Sequence, residues 1–185
     1  MHLILGLGNP GESYRRTRHN AGFWAVEELA RKHGVALRPR KAYDLAEATF
    51  YTEDVYLARP LTYMNLSGKA ARRLRRKLGI EPRNILVIHD DIDLKPGTIR
   101  IRSGGSSGGH LGVQSVIEAL GTTDFPRIRV GVGRPPEGVD PAKYVLEEMR
   151  GAELEEFLGW CSKAAAAAEN VVMDGLETAM NLFNG

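Results

Sequence analysis

The sequence predicts an α/β fold: a single domain with a central twisted, mixed sheet flanked by helices and a long C-terminal helix. Three observations carry this. Short apolar runs, among them residues 3–5, 85–88 and 127–132, alternate with stretches of helical periodicity. Two β-rich runs on either side of Thr52-Glu53 have no helix between them, which makes the sheet mixed. Residues 153–183 then keep apolar side chains at every third or fourth position from Leu154 to Phe183.

Taken in order, Leu3-Ile4-Leu5 reads as a buried strand, and Gly6, Gly8 and Gly11 let the chain turn sharply after it. Polar groups follow: Asn9, Tyr14, Arg15, Arg16, Arg18, His19 and Asn20. A helix runs from Asn20, a suitable N-cap, to His33, with Phe23, Val26, Leu29 and Ala30 on one stripe and Gly34 as its stop. Residues 35–37 are a strand candidate. Residues 43–51 and 54–59 read as a strand pair that Pro60 ends.

After Tyr63-Met64-Asn65 a helix extends to Leu78, with Leu66, Ala70, Leu74 and Leu78 inward and Gly79 as its stop. Arg72, Arg73, Arg75, Arg76 and Lys77 cover its other faces, which suits a solvated surface or a nucleic-acid contact equally. Residues 84–89 are the most apolar strand and lead into His89-Asp90-Asp91-Ile92-Asp93. Lys95-Pro96-Gly97 turns the chain. Residues 98–102 alternate, with Arg100 and Arg102 on one face. The Gly/Ser loop 103–109 leads to His110 and a helix through Leu120. Residues 127–132 form a strand with Arg127 and Arg129 opposite Ile128 and Val130, and residues 134–143 form a surface loop. The last helical pattern is one long helix or two broken near Gly175.

The 185 residues suit one domain, 1–185, and 43% hydrophobic with 26% charged residues is ordinary for a globular chain. No apolar run approaches the roughly 18 residues of a membrane span, and a strand pattern stands where a signal peptide would be. The single cysteine, Cys161, falls on a helical apolar stripe and suits a core position in a reducing cytoplasm. Charge is divided unevenly: residues 1–110 hold 19 Lys/Arg against 11 Asp/Glu, and the remainder hold 6 against 12. A basic half favours a polyanionic partner, of which nucleic acid is the commonest.

Gly6-Leu7-Gly8-Asn9-Pro10-Gly11 matches the dinucleotide pattern G-x-G-x-x-G. Its context argues against a cofactor. Pro10 sits in the loop, residues 12–19 lack an apolar stripe, and the next strand candidate is followed by Arg38 rather than an acid. An NADP-dependent reductase is therefore the weaker reading. Asp90, Asp91 and Asp93 lack a second ligand cluster, so no metal is expected. Three turns bring chemistry to one sheet edge: residues 9–19, 63–65 and 89–93. A histidine base oriented by a carboxylate, with amides nearby, is what they can assemble.

Five blocks resemble the bacterial peptidyl-tRNA hydrolase family: GLGNPGESYRRTRHNAGF (6–23), RPLTYMNLSGKA (59–70), HDDIDLKPG (89–97), GGHLG (108–112) and RIRVGVGRP (127–135). The resemblance implies a monomeric enzyme that cleaves the ester between a peptide and the terminal ribose of tRNA, without cofactor, metal, DNA or membrane. It implies His19 as general base and Asp90 as its orienting carboxylate, with Asn9 and Asn65 holding the substrate. Tyr14, Tyr63, Met64 and His110 then contact the substrate end of the tRNA, while Arg100, Arg129 and the neighbouring Arg102 grip phosphate. One position departs: the family block usually reads GGHNG, and here Leu111 replaces the asparagine. That departure supports a rival, a non-catalytic RNA-binding relative.

Overall fold

The computed structural model describes all 185 residues. Seven strands form one mixed sheet: β1 (His2–Gly6), β2 (Arg38–Pro39), β3 (Tyr43–Phe50), β4 (Glu53–Pro60), β5 (Ile85–Asp91), β6 (Ile99–Arg102) and β7 (Arg127–Gly131). Their spatial order is β2-β3-β4-β1-β5-β7-β6. The middle four are mutually parallel; β2, β3 and β6 add antiparallel edges. Three helices lie between strands, α1 (Ala21–Lys32), α2 (Ser67–Leu78) and α3 (Leu111–Leu120), and three follow the last strand, α4 (Pro141–Tyr144), α5 (Gly151–Asp174) and α6 (Leu176–Phe183).

The period-2 alternation of the central strands divides the core into two layers. Ile4, Leu57, Leu86, Ile88 and Ile128 point to α1, α5 and α6. Leu3, Leu5, Ala58, Ile85 and Val87 point to α2 and α3. The long C-terminal pattern resolves into two helices, broken at Gly175.

Four expectations are corrected. Residues 35–37 form no strand. Val35 N–H instead closes the end of α1 on the Ala30 carbonyl at 3.0 Å, and Val35 and Leu37 pack on the core. Only Arg38 and Pro39 pair with β3. The β3–β4 hairpin turns at Tyr51-Thr52, with Tyr51 at positive φ and Glu53 already paired to Phe50. Leu66 is not on the buried stripe of α2, because it belongs to the 3-10 turn Met64–Leu66 ahead of that helix. Within the 134–143 loop, Asp140 caps α4 by accepting the Ala142 N–H at 3.0 Å.

A backbone contact between β1 and α1 positions the site. A Cβ at Gly6 would overlap the Gly22 carbonyl, and one at Gly22 would overlap both the Ile88 carbonyl and the Leu7 N–H. The start of α1 thus lies against the ends of β1 and β5, bringing His19 and Asn20 over the carboxyl edge of the sheet. Gly22→Ala is expected to destabilise the fold by about 3 kcal/mol, the upper end of typical overpacking costs, since backbone cannot rotate away as a side chain can. Urea unfolding of the variant measures it; a loss under 1 kcal/mol would show that the approach is not tight.

Candidate active site

Asp90 lies on β5 near its carboxyl end and is almost wholly buried, between two imidazoles. His19, on the turn Arg18–Asn20 between β1 and α1, places Nδ1 at 3.0 Å from both Asp90 carboxylate oxygens. His110, just ahead of α3, places Nε2 at 2.9 Å from Oδ1 of Asp90. The other nitrogen of His110 accepts the N–H groups of Gly112 and Val113 at 3.1 and 3.3 Å. Both bonds fix its tautomer: Nε2 carries the proton and donates to Asp90, and Nδ1 is an acceptor. His19 likewise donates from Nδ1, which leaves its Nε2 lone pair free in the cleft.

Burial alone would raise the Asp90 pKa, but the two histidines, by charge and hydrogen bonds, hold it well below the usual carboxylate range. Burial lowers the His19 pKa; the charge and hydrogen bond of Asp90 outweigh that and raise it above its ordinary value. His89, the residue before Asp90, points into the protein, donates from Nδ1 to the Asp90 carbonyl at 2.8 Å, and lies 4.8 Å from the His110 ring. Burial, then the neighbouring His110, push its pKa down to about 3. His89 is therefore held neutral.

The amides are set by a second network. Asn20 clamps the backbone of Asn9 in both directions, accepting its N–H at 2.8 Å and donating to its carbonyl at 2.9 Å. Asn20 makes no side-chain cap on α1, contrary to expectation, because its amide is spent on this clamp. Oδ1 of Asn9 accepts the Met64 N–H at 2.7 Å, and only an oxygen can do so. Its Nδ2 is left as a donor without a protein partner.

These groups share a cleft of about 550 Å³. Asn9, His19, Tyr63, Met64, Asn65, Asp90 and His110 line one side of it, the loop Ser107 to Gly109 and Leu111 another, and residues 140–146 the third. Asn65 is exposed there. Tyr63 is 60% exposed and stands edge-on to Tyr14, ring centres 6.2 Å apart. Tyr14 itself backs Tyr63 from outside the lining. Leu111, 63% exposed, occupies the rim without any amide. Gln114 offers no replacement, because it is bonded to Glu118 at 2.9 Å; Ser107 lies in the lining.

Arg100, Arg102 and Arg129 gather on β6 and β7, where Arg100 pairs directly with Arg129. Arg100 and Arg102 are exposed, whereas Arg129 binds Asp91 at 2.7 Å at the edge of the cleft. Arg127, expected on the same outer face, is buried and bonds to the carbonyls of Gly105, Ser106 and Thr123, so it holds the Gly/Ser loop. Sequence reasoning missed its role, and also that of Arg18. Arg18 lies over the Tyr144 ring at 4.0 Å, bonds to the Tyr144 carbonyl and pairs with Glu147 and Glu153. His19 N–H adds a bond to the Val145 carbonyl at 2.9 Å. The third wall is thereby fastened to the turn that carries His19. A buried arginine between two polar neighbours carries no sequence signal for such a contact.

His19, Asp90 and His110 are close enough to hold a metal ion, their ligand atoms lying within 4.8 Å of one another. The bonding favours a proton-linked chain instead, since both histidines turn N–H groups, not lone pairs, toward Asp90. The three acids at the end of β5 and just beyond it diverge: Asp91 goes to Arg129, Asp93 to Arg134, and Asp90 inward. Nor is the glycine loop a phosphate cradle. A Cβ at Gly8 would come within 2.6 Å of Phe23, so Gly6 and Gly8 serve the packing of α1, which begins only at Ala21.

The sequence profile described as peptidyl-tRNA hydrolase matches residues 3–185. The chain belongs to the peptidyl-tRNA hydrolase family. Curated members from Chloroflexus aurantiacus and Syntrophomonas wolfei are 50% and 46% identical to it, each covering 100% of this chain, with 99% and 100% of the relative covered. The crystal structure of peptidyl-tRNA hydrolase from Acinetobacter baumannii superposes with a TM-score of 0.92 at 36% identity, covering 100% of this chain and 95% of that one. The α/β expectation and the long C-terminal helical segment agree with that family fold. No helix is long and apolar enough to cross a membrane.

Proposed function

We propose that this protein hydrolyses the ester joining a peptide to the terminal ribose of tRNA, with His19 as general base. The contact of His19 Nδ1 with Asp90, at the bottom of a cleft lined by Asn9 and Asn65, carries the reading. Nε2 of His19 takes a proton from a water as that water attacks the ester carbonyl. Asp90 steadies the imidazolium as it forms. Asn9 donates from Nδ2, and Asn65, in the same lining, adds a second amide to hold the peptide carbonyl or the developing oxyanion. Collapse of the tetrahedral intermediate returns the proton to the ribose oxygen and frees peptide and tRNA. No covalent enzyme intermediate is required. His110 acts through Asp90 rather than on the substrate, because both of its nitrogens are occupied.

The formed His19–Asp90 contact favours this over a binding-only relative, in spite of Leu111. Arg100 and Arg102 are the free cations for a terminal phosphate, with Arg129 shared with Asp91. The buried Cys161, its thiol pushed up by burial, offers no nucleophile and fits a cytoplasmic enzyme; the family resemblance supports a monomer. A direct comparison tests the activity. N-acetyl-aminoacyl-tRNA should be hydrolysed, and the same tRNA carrying a free α-ammonium should be hydrolysed at least about 100-fold more slowly, the penalty expected when a site built for a polar partner meets a substrate lacking it. Equal rates on both would remove the peptide amide from the recognition scheme.

A further inference from the structure

Lys69, Arg72, Arg73, Arg76 and Lys77 follow the spacing i, i+3, i+4, i+7, i+8, which puts five cations on one face of α2. The opposite face, Ala70, Ala71 and Leu74, is fully buried. All five cations are exposed, and none lies within ion-pair distance of a carboxylate. With Ala42 they line a groove of about 620 Å³ that contains no acid. Arg40 and Lys41, also exposed, adjoin it.

No other helix carries such a row of unpaired cations: Arg15 pairs with Glu27, Arg31 with Glu28 and Lys32 with Glu169, while the unpaired Lys143 and Lys163 each stand alone on their helices. Like charges at i, i+4 weaken a helix, so the α2 stripe works against its own helix unless an anion lies on it. From Lys69 to Lys77 the stripe spans nine residues, or about 12 Å between its ends, too long for one phosphate and suited to a row of them. It also starts beside the cleft, since α2 follows directly from the turn carrying Met64 and Asn65.

We propose that the basic face of α2 docks the backbone phosphates of the double-stranded part of the substrate tRNA while its aminoacylated end occupies the cleft. The proposal rests on the activity inferred above, which requires the RNA duplex to leave the cleft across some part of this surface. Lysine and arginine on phosphates read no bases, so the grip is indifferent to sequence and sensitive to salt.

The test is the triple variant R72Q/R73Q/R76Q, since glutamine keeps the helix propensity of arginine. Uncharged tRNA should bind about 10- to 100-fold more weakly at 0.1 M salt. The slope of log affinity against log salt should become shallower by about 2 to 3, at roughly 0.7–0.9 per lost contact. Hydrolysis of N-acetyl-aminoacyl-adenosine, which lacks the duplex, should be unchanged. Unaltered tRNA affinity and salt slope, or an equal loss on the short substrate, would overturn the docking surface. If wild-type protein hydrolyses neither substrate, the proposed activity fails, and the tRNA-binding measurement still decides the role of α2.

Discussion

His19→Ala is expected to lower kcat for N-acetyl-aminoacyl-tRNA by about 10²–10⁴, the range that a positioned general base contributes. KM should change little, because Asn9, Asn65 and the cleft walls remain. The protein should still fold: Asp90 keeps His110 as a partner at 2.9 Å, and losing one of its two bonds costs about 1–3 kcal/mol. The pH profile gives a second check. Asp90 raises the His19 pKa, so the neutral base is lost on going down through a value above 6.5. In wild type, kcat/KM should therefore rise through that value to a plateau. The residual activity of His19→Ala should lack this limb. A variant within threefold of wild type, or one that keeps the same limb, would assign the base elsewhere.

The second large effect is on stability in acid. His89 is held neutral at a pKa of about 3, against about 6.5 in an unfolded chain. The unfolded state therefore binds the extra proton first, and stability falls as pH drops from about 6.5 toward 3. At about 1.36 kcal/mol per pH unit, the loss between pH 6.5 and pH 5 is about 2 kcal/mol. His19 works in the opposite sense: its raised pKa stabilises the fold below 6.5 and loses that contribution as pH rises through the raised value. Asp90 adds to the acid loss only lower down, as pH falls below the ordinary carboxylate value near 4. Urea midpoints at pH 7 and pH 5 should thus fall for wild type. They should stay level or reverse for His89→Asn, which keeps a donor for the Asp90 carbonyl. Equal falls in both proteins would place the acid-sensitive group elsewhere.

The legibility of the chain was uneven, and in a systematic way. Helix stops at Gly34 and Gly79 and the alternation of Ile99 and Ile101 with Arg100 and Arg102 were readable, while a break at Gly175 was one of two readings that the pattern allowed. Each depends on neighbours within one or two turns. Errors came where distant contacts override local preference. Residues 35–37 look like a strand, but Val35 is taken by the end of α1. Arg127 looks like an outer-face cation, but it is drawn in to satisfy three loop carbonyls. Asn20 looks like a helix cap, but its amide is committed to Asn9.

The sequence by itself determined the α/β class, the two apolar faces of the central strands, the polar turns at their carboxyl ends and, through five ordered blocks, the family. These follow from local periodicity, turn chemistry and residue identity, which need no knowledge of what lies across the fold. The resemblance implied the pairing of His19 with Asp90, but tertiary structure alone decided its geometry across 71 residues of chain, that His110 completes the chain of bonds from the other side, and that Arg18 ties the wall at residues 140–146 to the turn carrying His19. Those contacts depend on β1 lying beside β5 and on α1 approaching β1 at Gly22. Strand order and backbone approach are properties of the packed whole, which no window of the chain contains.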